Sequence, residues 1–71
     1  MKEFRVSYSY LIVDKKSEYI SSGKESFTFE AVSRGHIDTK EIILKVRRIV
    51  QEKCKKNEHI SDANYYALEE I

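Results

Sequence analysis

The chain has 71 residues, 41% hydrophobic and 35% charged, with a formal net charge of +1. This composition suits one folded domain spanning residues 1–71 and excludes a disordered chain; no apolar run approaches the ~20 residues that cross a bilayer. The single cysteine, Cys54, excludes an intrachain disulfide, and Met1–Arg5 lacks the apolar block of a secretion signal, so a cytoplasmic protein with no membrane partner is expected.

Residues 3–13 alternate strictly: Phe4, Val6, Tyr8, Tyr10 and Ile12 point one way, and Arg5, Ser7, Ser9, Leu11 and Val13 the other. A period of two with aromatic and β-branched residues predicts a strand with one buried face. Asp14–Gly23 is charged and rich in small residues, as a hairpin loop is, with Tyr19 and Ile20 either extending the hairpin or capping the core. Glu25–Val32 alternates again, with Phe27, Phe29 and Ala31 on one face, and predicts the antiparallel second arm.

Ser33–Asp38 reads as a connector, and the period then changes to 3.6. Asp38 is placed as a helix N-cap, with Glu41 in the capping-box position. Ile42, Ile43, Val46, Ile49, Val50 and Lys53 share one arc of the helix, with Cys54 at its margin and an end expected near Asn57. The tail supports two readings. Tyr66 and Leu68 alternate with Tyr65, Ala67 and Glu69 as in a strand, whereas Ser61 could cap a short helix bearing Asn64, Ala67, Leu68 and Ile71 on one side.

The strand is preferred, because a third strand widens the sheet on which the helix packs. The expected fold is α+β: ββαβ, a three-stranded antiparallel sheet of order 2-1-3 with one helix on one face and the aromatic row of strand one centrally beneath it. The alternative is ββαα with a short C-terminal helix. A chain this short buries only about 60% of its extended surface, and such domains often need a second copy or a partner.

Lys40 to Lys56 carries seven Lys/Arg and two Glu, a local balance of +5. With Val46 facing the sheet, the helix back carries Lys40, Leu44, Arg47, Arg48, Gln51 and Lys55. Lys40, Arg47, Arg48 and Lys55 are therefore the candidate nucleic-acid contacts, which would release counterions on binding phosphates. The plainer account is a solvated helix back, on which Lys and Arg are good helix formers. Leu44, set among arginines, could anchor a protein contact. With Tyr66 toward the helix, Tyr65 faces the open side of the sheet. There Leu11, Val13, Val32 and Tyr65 are expected to form an apolar patch for a homodimer or another protein, with the edge of strand two as its rival.

Nothing in the sequence assembles a catalytic or metal site. Cys54 stands alone and reads as a structural thiol. His36 and His59 lie in separate connectors, and Glu69 and Glu70 would point to opposite faces of a strand. Gly23 and Gly35 read as turn residues, and no phosphate-binding glycine loop is present. A non-enzymatic protein without cofactor or metal is expected.

The segments "FRVSYSYLI", "SFTFEAVS", "IDTKEIILKVRRIV" and "NYYALEEI" together resemble small hairpin–helix–strand accessory proteins encoded by bacteriophages and prophages. The resemblance covers nearly the whole chain as a pattern and carries no functional residue. It implies a protein that works by contacting host or phage macromolecules, an inhibitor being one form of such a protein.

Overall fold

The structure is a computed structural model describing all residues, Met1–Ile71. Strands β1 (Lys2–Asp14) and β2 (Tyr19–Ala31) are followed by a 3-10 turn (Arg34–His36), helix α1 (Thr39–Lys53) and strand β3 (Glu58–Glu70). The sheet is antiparallel in the order β2-β1-β3, with the helix on one face, so the ββαβ expectation holds. The C-terminal helix of the alternative reading does not form, because residues 58–70 pair with Phe4–Asp14 of β1.

The alternation of β1 is realised directly. Phe4, Val6, Tyr8 and Ile12 are buried on the helix side; Val6, Tyr8 and Ile12 share one core cluster with Ile42, Val46 and Val50 from successive helical turns, and Phe4 stacks on Phe29. The hairpin is tighter than the Asp14–Gly23 loop expected from composition. Asp14 Oδ1 accepts the backbone N–H groups of Lys16 at 2.8 Å and Glu18 at 2.9 Å. Ser17 takes the left-handed conformation, φ 63°, that reverses the chain.

Strand β2 therefore starts at Tyr19, and Gly23 lies within the strand rather than in a turn. It sits opposite Tyr10, whose phenol occupies the space a side chain would need: a Cβ at Gly23 would lie 2.8 Å from the Tyr10 oxygen. The glycine admits a ring laid across the edge strand.

Helix α1 starts as expected, with the Asp38 carboxylate accepting the Lys40 N–H at 2.9 Å. It stops at Lys53, short of Asn57. Cys54 turns extended (φ −76°, ψ 133°), and Lys55 and Glu58 close a turn through two bonds of 3.0 Å. That turn brings Glu58 opposite Asp14, so that β3 begins at the hairpin tip.

Two corrections concern how the helix and β3 meet. The helix packs chiefly on β3 rather than centrally over the aromatic row of β1. Ala63, buried and small, lets it approach on that side, whereas the bulkier Phe27 and Phe29 stand on β2. Strand β3 also changes parity twice. Ser7 pairs with Ala67 but Tyr8 with Tyr65, and Leu11 pairs with Asp62 but Ile12 with Ile60, so Tyr66 and Ser61 are extra residues in bulges. Ile60, Ala63, Tyr65 and Leu68 all reach the core face in consequence, at spacings that simple alternation does not produce.

Candidate interaction surface

The open face of the sheet is polar. From β1 it presents Arg5, Ser7, Ser9 and Leu11, beside Ser22, Lys24, Ser26 and Thr28 of β2. Lys24 Nζ reaches across the small serines of β1 to lie 5.6 Å from the centre of the Tyr66 ring. The apolar patch expected there is not assembled. Tyr65 packs on the helix side because the bulge at Tyr66 reverses its facing. Val13 is buried at 6% exposure between its pairing neighbours Tyr19 and His59, and Leu11 is half-buried. Val32 is 59% exposed but lies past the far end of β2, next to the residue that pairs with Lys2.

On the helix back, Leu44 is 61% exposed and sits beside Arg48 and Glu52 in a shallow depression. Lys40, Arg47, Arg48 and Lys55 are all exposed, and none takes part in either of the two ion pairs, Lys2–Glu70 and Lys53–Glu25. Lys55 lies beyond the end of α1, so it does not continue the strip of Lys40, Arg47 and Arg48.

A surface outside the expected patch arises from the displacement of the helix. Between α1 and β2 runs a groove of about 220 Å³, floored by Phe27, Phe29 and Ala31 and walled by Ile37 and Ile42. Phe27 and Phe29 are half-buried, and Lys45 Nζ lies 4.6 Å from the centre of the Phe27 ring. The groove borders the outer edge of the sheet. The signal available in the sequence was the contrast between Ala63 on one flank of β1 and two phenylalanines on the other, readable only once the bulges of β3 are known.

Two hydrogen bonds establish which backbone groups on that edge are free. Asp14 N–H bonds the Glu18 carbonyl on the β2 side, and Ile71 N–H bonds the Glu3 carbonyl on the β3 side, both at 2.9 Å. Backbone groups alternate sides along an antiparallel strand, so even-numbered residues of β1 bond β2 and odd-numbered ones bond β3. On β2, Glu25, Phe27 and Phe29 then face β1, while Lys24, Ser26, Thr28 and Glu30 direct their N–H and C=O outward.

The two edges differ. β3 carries both of its bulges within the sheet, and Arg34 Nη2 donates to its Leu68 carbonyl at 2.9 Å. β2 runs without a bulge from Ser21 to Ala31. Bulges and covered carbonyls are the usual guards of an edge strand.

Beyond Phe27, further toward the hairpin tip, a polar cluster ties helix to edge. The Tyr8 hydroxyl donates to Glu25 Oε1 at 2.8 Å, Lys53 Nζ donates to Glu25 Oε2 at 3.1 Å, and Lys53 lies 5.4 Å from the centre of the Tyr10 ring. Burial, then the bond to Glu25, push the Tyr8 phenol up to about 12. The bonds from Tyr8 and Lys53 hold the Glu25 carboxyl below its ordinary value, and Glu25 in turn raises Lys53. Burial and the nearby Glu58 push the Cys54 thiol up, and its Sγ reaches the Val50 carbonyl at 3.6 Å.

His36 Nδ1 is engaged with Ser33 Oγ at 2.8 Å, and His59 lies in β3. No three His, Cys, Asp or Glu side chains gather as a metal cluster would, and no helix is long and apolar enough to cross a membrane. Glu70 pairs opposite Phe4 on the helix-side face, and Glu69 opposite Arg5 on the other. No family model, curated protein or solved structure matches this chain.

Proposed function

We propose that this chain is a small non-catalytic cytoplasmic protein that works by protein–protein contact, with the outer edge of β2 and its adjoining groove as the contact surface. The observation that carries this reading is the offset helix, which leaves Phe27 and Phe29 half-covered beside an edge that runs without a bulge from Ser21 to Ala31 and has unpaired backbone groups. Strand addition to such an edge takes affinity from the main chain and specificity from pockets alongside it. The role implied by the resemblance to phage accessory proteins is of the same kind.

The test is a pull-down with mass spectrometry from the native lysate, comparing the wild-type chain with Thr28→Pro. The Thr28 N–H points outward, so proline there removes an edge donor without cutting a bond to β1. Loss of the captured partner in Thr28→Pro, with the circular dichroism spectrum unchanged, is the expected result. A partner retained equally by both proteins would overturn the assignment of the surface, as would a chain that captures no other protein and is also monomeric in solution.

A second reading rests on the exposed, unpaired Lys40, Arg47, Arg48 and Lys55, which would contact nucleic-acid phosphates. It requires binding to generic DNA that weakens steeply with salt and is lost in Arg47→Glu/Arg48→Glu.

A further inference from the structure

We propose that the partner at the β2 edge is a second copy of this chain, its β2 paired antiparallel about a two-fold axis that sets Phe27 opposite Phe27. This inference rests on the contact surface proposed above and names its occupant.

Symmetry and pleat leave few registers. Residues opposed across an antiparallel pair share a face, so a two-fold axis must pass through a residue position rather than between two. Centring on Lys24, Glu25 or Glu30 sets like charges against each other, which is unfavourable. Centring on Ser26, Thr28 or Phe29 leaves both Lys24 and Glu30 without a charged counterpart. Centring on Phe27 sets Lys24 opposite Glu30 of the second copy, and Glu30 opposite its Lys24. It also sets Ser26 opposite Thr28, twice. These four positions are the ones whose N–H and C=O point outward, so the charge matches coincide with the hydrogen-bonding positions of the new ladder.

The remainder of the molecule accommodates this pairing. The axis stands perpendicular to the sheet, so both helices lie on one face, each displaced toward its own β3 and away from the seam. The two grooves then join into one trough in which the Phe27 and Phe29 rings of the two chains meet. Lys24 exchanges its place over Tyr66 for a lateral rotamer toward the opposing glutamate. The competing account is that Lys24 and Glu30 merely guard the edge as solvated charges. That account gives no reason for their mirrored placement about Phe27.

The experiment is sedimentation equilibrium of the full chain over a wide concentration range, with four variants. The wild type is expected to dimerise. Lys24→Glu and Glu30→Lys each create two like-charge pairs and are expected to raise the dimer Kd about tenfold. The double exchange Lys24→Glu/Glu30→Lys restores opposite charges and is expected to return Kd to within about threefold of wild type. Thr28→Pro is expected to abolish dimerisation with an unchanged circular dichroism spectrum. A wild-type chain that stays monomeric throughout overturns the proposal, as does a dimer equally tight in both single variants and the double. A monomer that captures a different protein through a Thr28→Pro-sensitive contact overturns only the identity of the partner. Capture insensitive to Thr28→Pro overturns the contact surface as well.

Discussion

Lys53, the last residue of α1, holds Glu25 on the edge strand at 3.1 Å, and Glu25 holds the buried Tyr8 at 2.8 Å. The pair spans the open flank that the offset helix leaves, so one exposed carboxylate links helix, edge strand and central strand. Both hydrogen bonds favour its ionised form.

The acid limb of stability should therefore depend on Glu25. Its folded pKa lies below the ordinary 4.5, so its contribution is present above that value and is lost as pH falls through the folded one. Chemical denaturation from pH 7 downward should show Glu25→Gln losing less stability below about pH 4.5 than the wild type. Parallel pH profiles for the two proteins would remove this carboxylate from the acid transition.

The alkaline limb should depend on Tyr8. Its folded pKa, raised from 10.0 to about 12, means that its contribution is complete below pH 10 and is lost as pH rises toward 12. Tyr8→Phe should cost about 0.5–1.5 kcal/mol at neutral pH and flatten the loss above pH 10. Tyrosinate absorbance provides the check: the late-titrating phenol should vanish from the variant.

Gly23→Ala should destabilise the fold by about 1–2 kcal/mol, because the new methyl meets the Tyr10 ring. The penalty should shrink when Tyr10 is first reduced to alanine, the signature of direct coupling in a double-mutant cycle. Equal effects in both backgrounds would mean that the ring is not what the glycine accommodates.

Val46 and Leu44 sit on the same helix with opposite fates. Val46 is 0% exposed and Leu44 61%. Val46→Ala should cost about 2 kcal/mol, roughly a 10 °C fall in Tm for a domain of this size. Leu44→Ala should change stability by no more than about 0.5 kcal/mol. Thermal melts that rank the two the other way would reverse the helix orientation.

These contrasts also show what could be read from the residues alone. Alternation in β1 and the 3.6-residue period from Ile42 to Val50 are strong local signals, and each survives packing because it buries a continuous row. They suffice for the ββαβ order. The facing of Tyr65 was beyond that method: a bulge adds a residue without a composition of its own, and the two in β3 are set by pairing with β1. Gly23 misled for a related reason, since its glycine serves a ring thirteen positions away rather than a turn. The end of α1 depends on where β3 must meet Asp14, a long-range demand that Asn57 could not announce. The β2 groove follows from Ala63 and the offset helix together, so it became visible only after the facing of β3 was known.

The guarded border of β3 has a consequence for assembly. With Arg34 occupying the Leu68 carbonyl and bulges at Ser61 and Tyr66, the β3 border is the less open of the two to a further strand. A second copy joined β2 to β2 would leave only guarded β3 borders outermost. Such a pair would end in a closed complex instead of running on into a fibre.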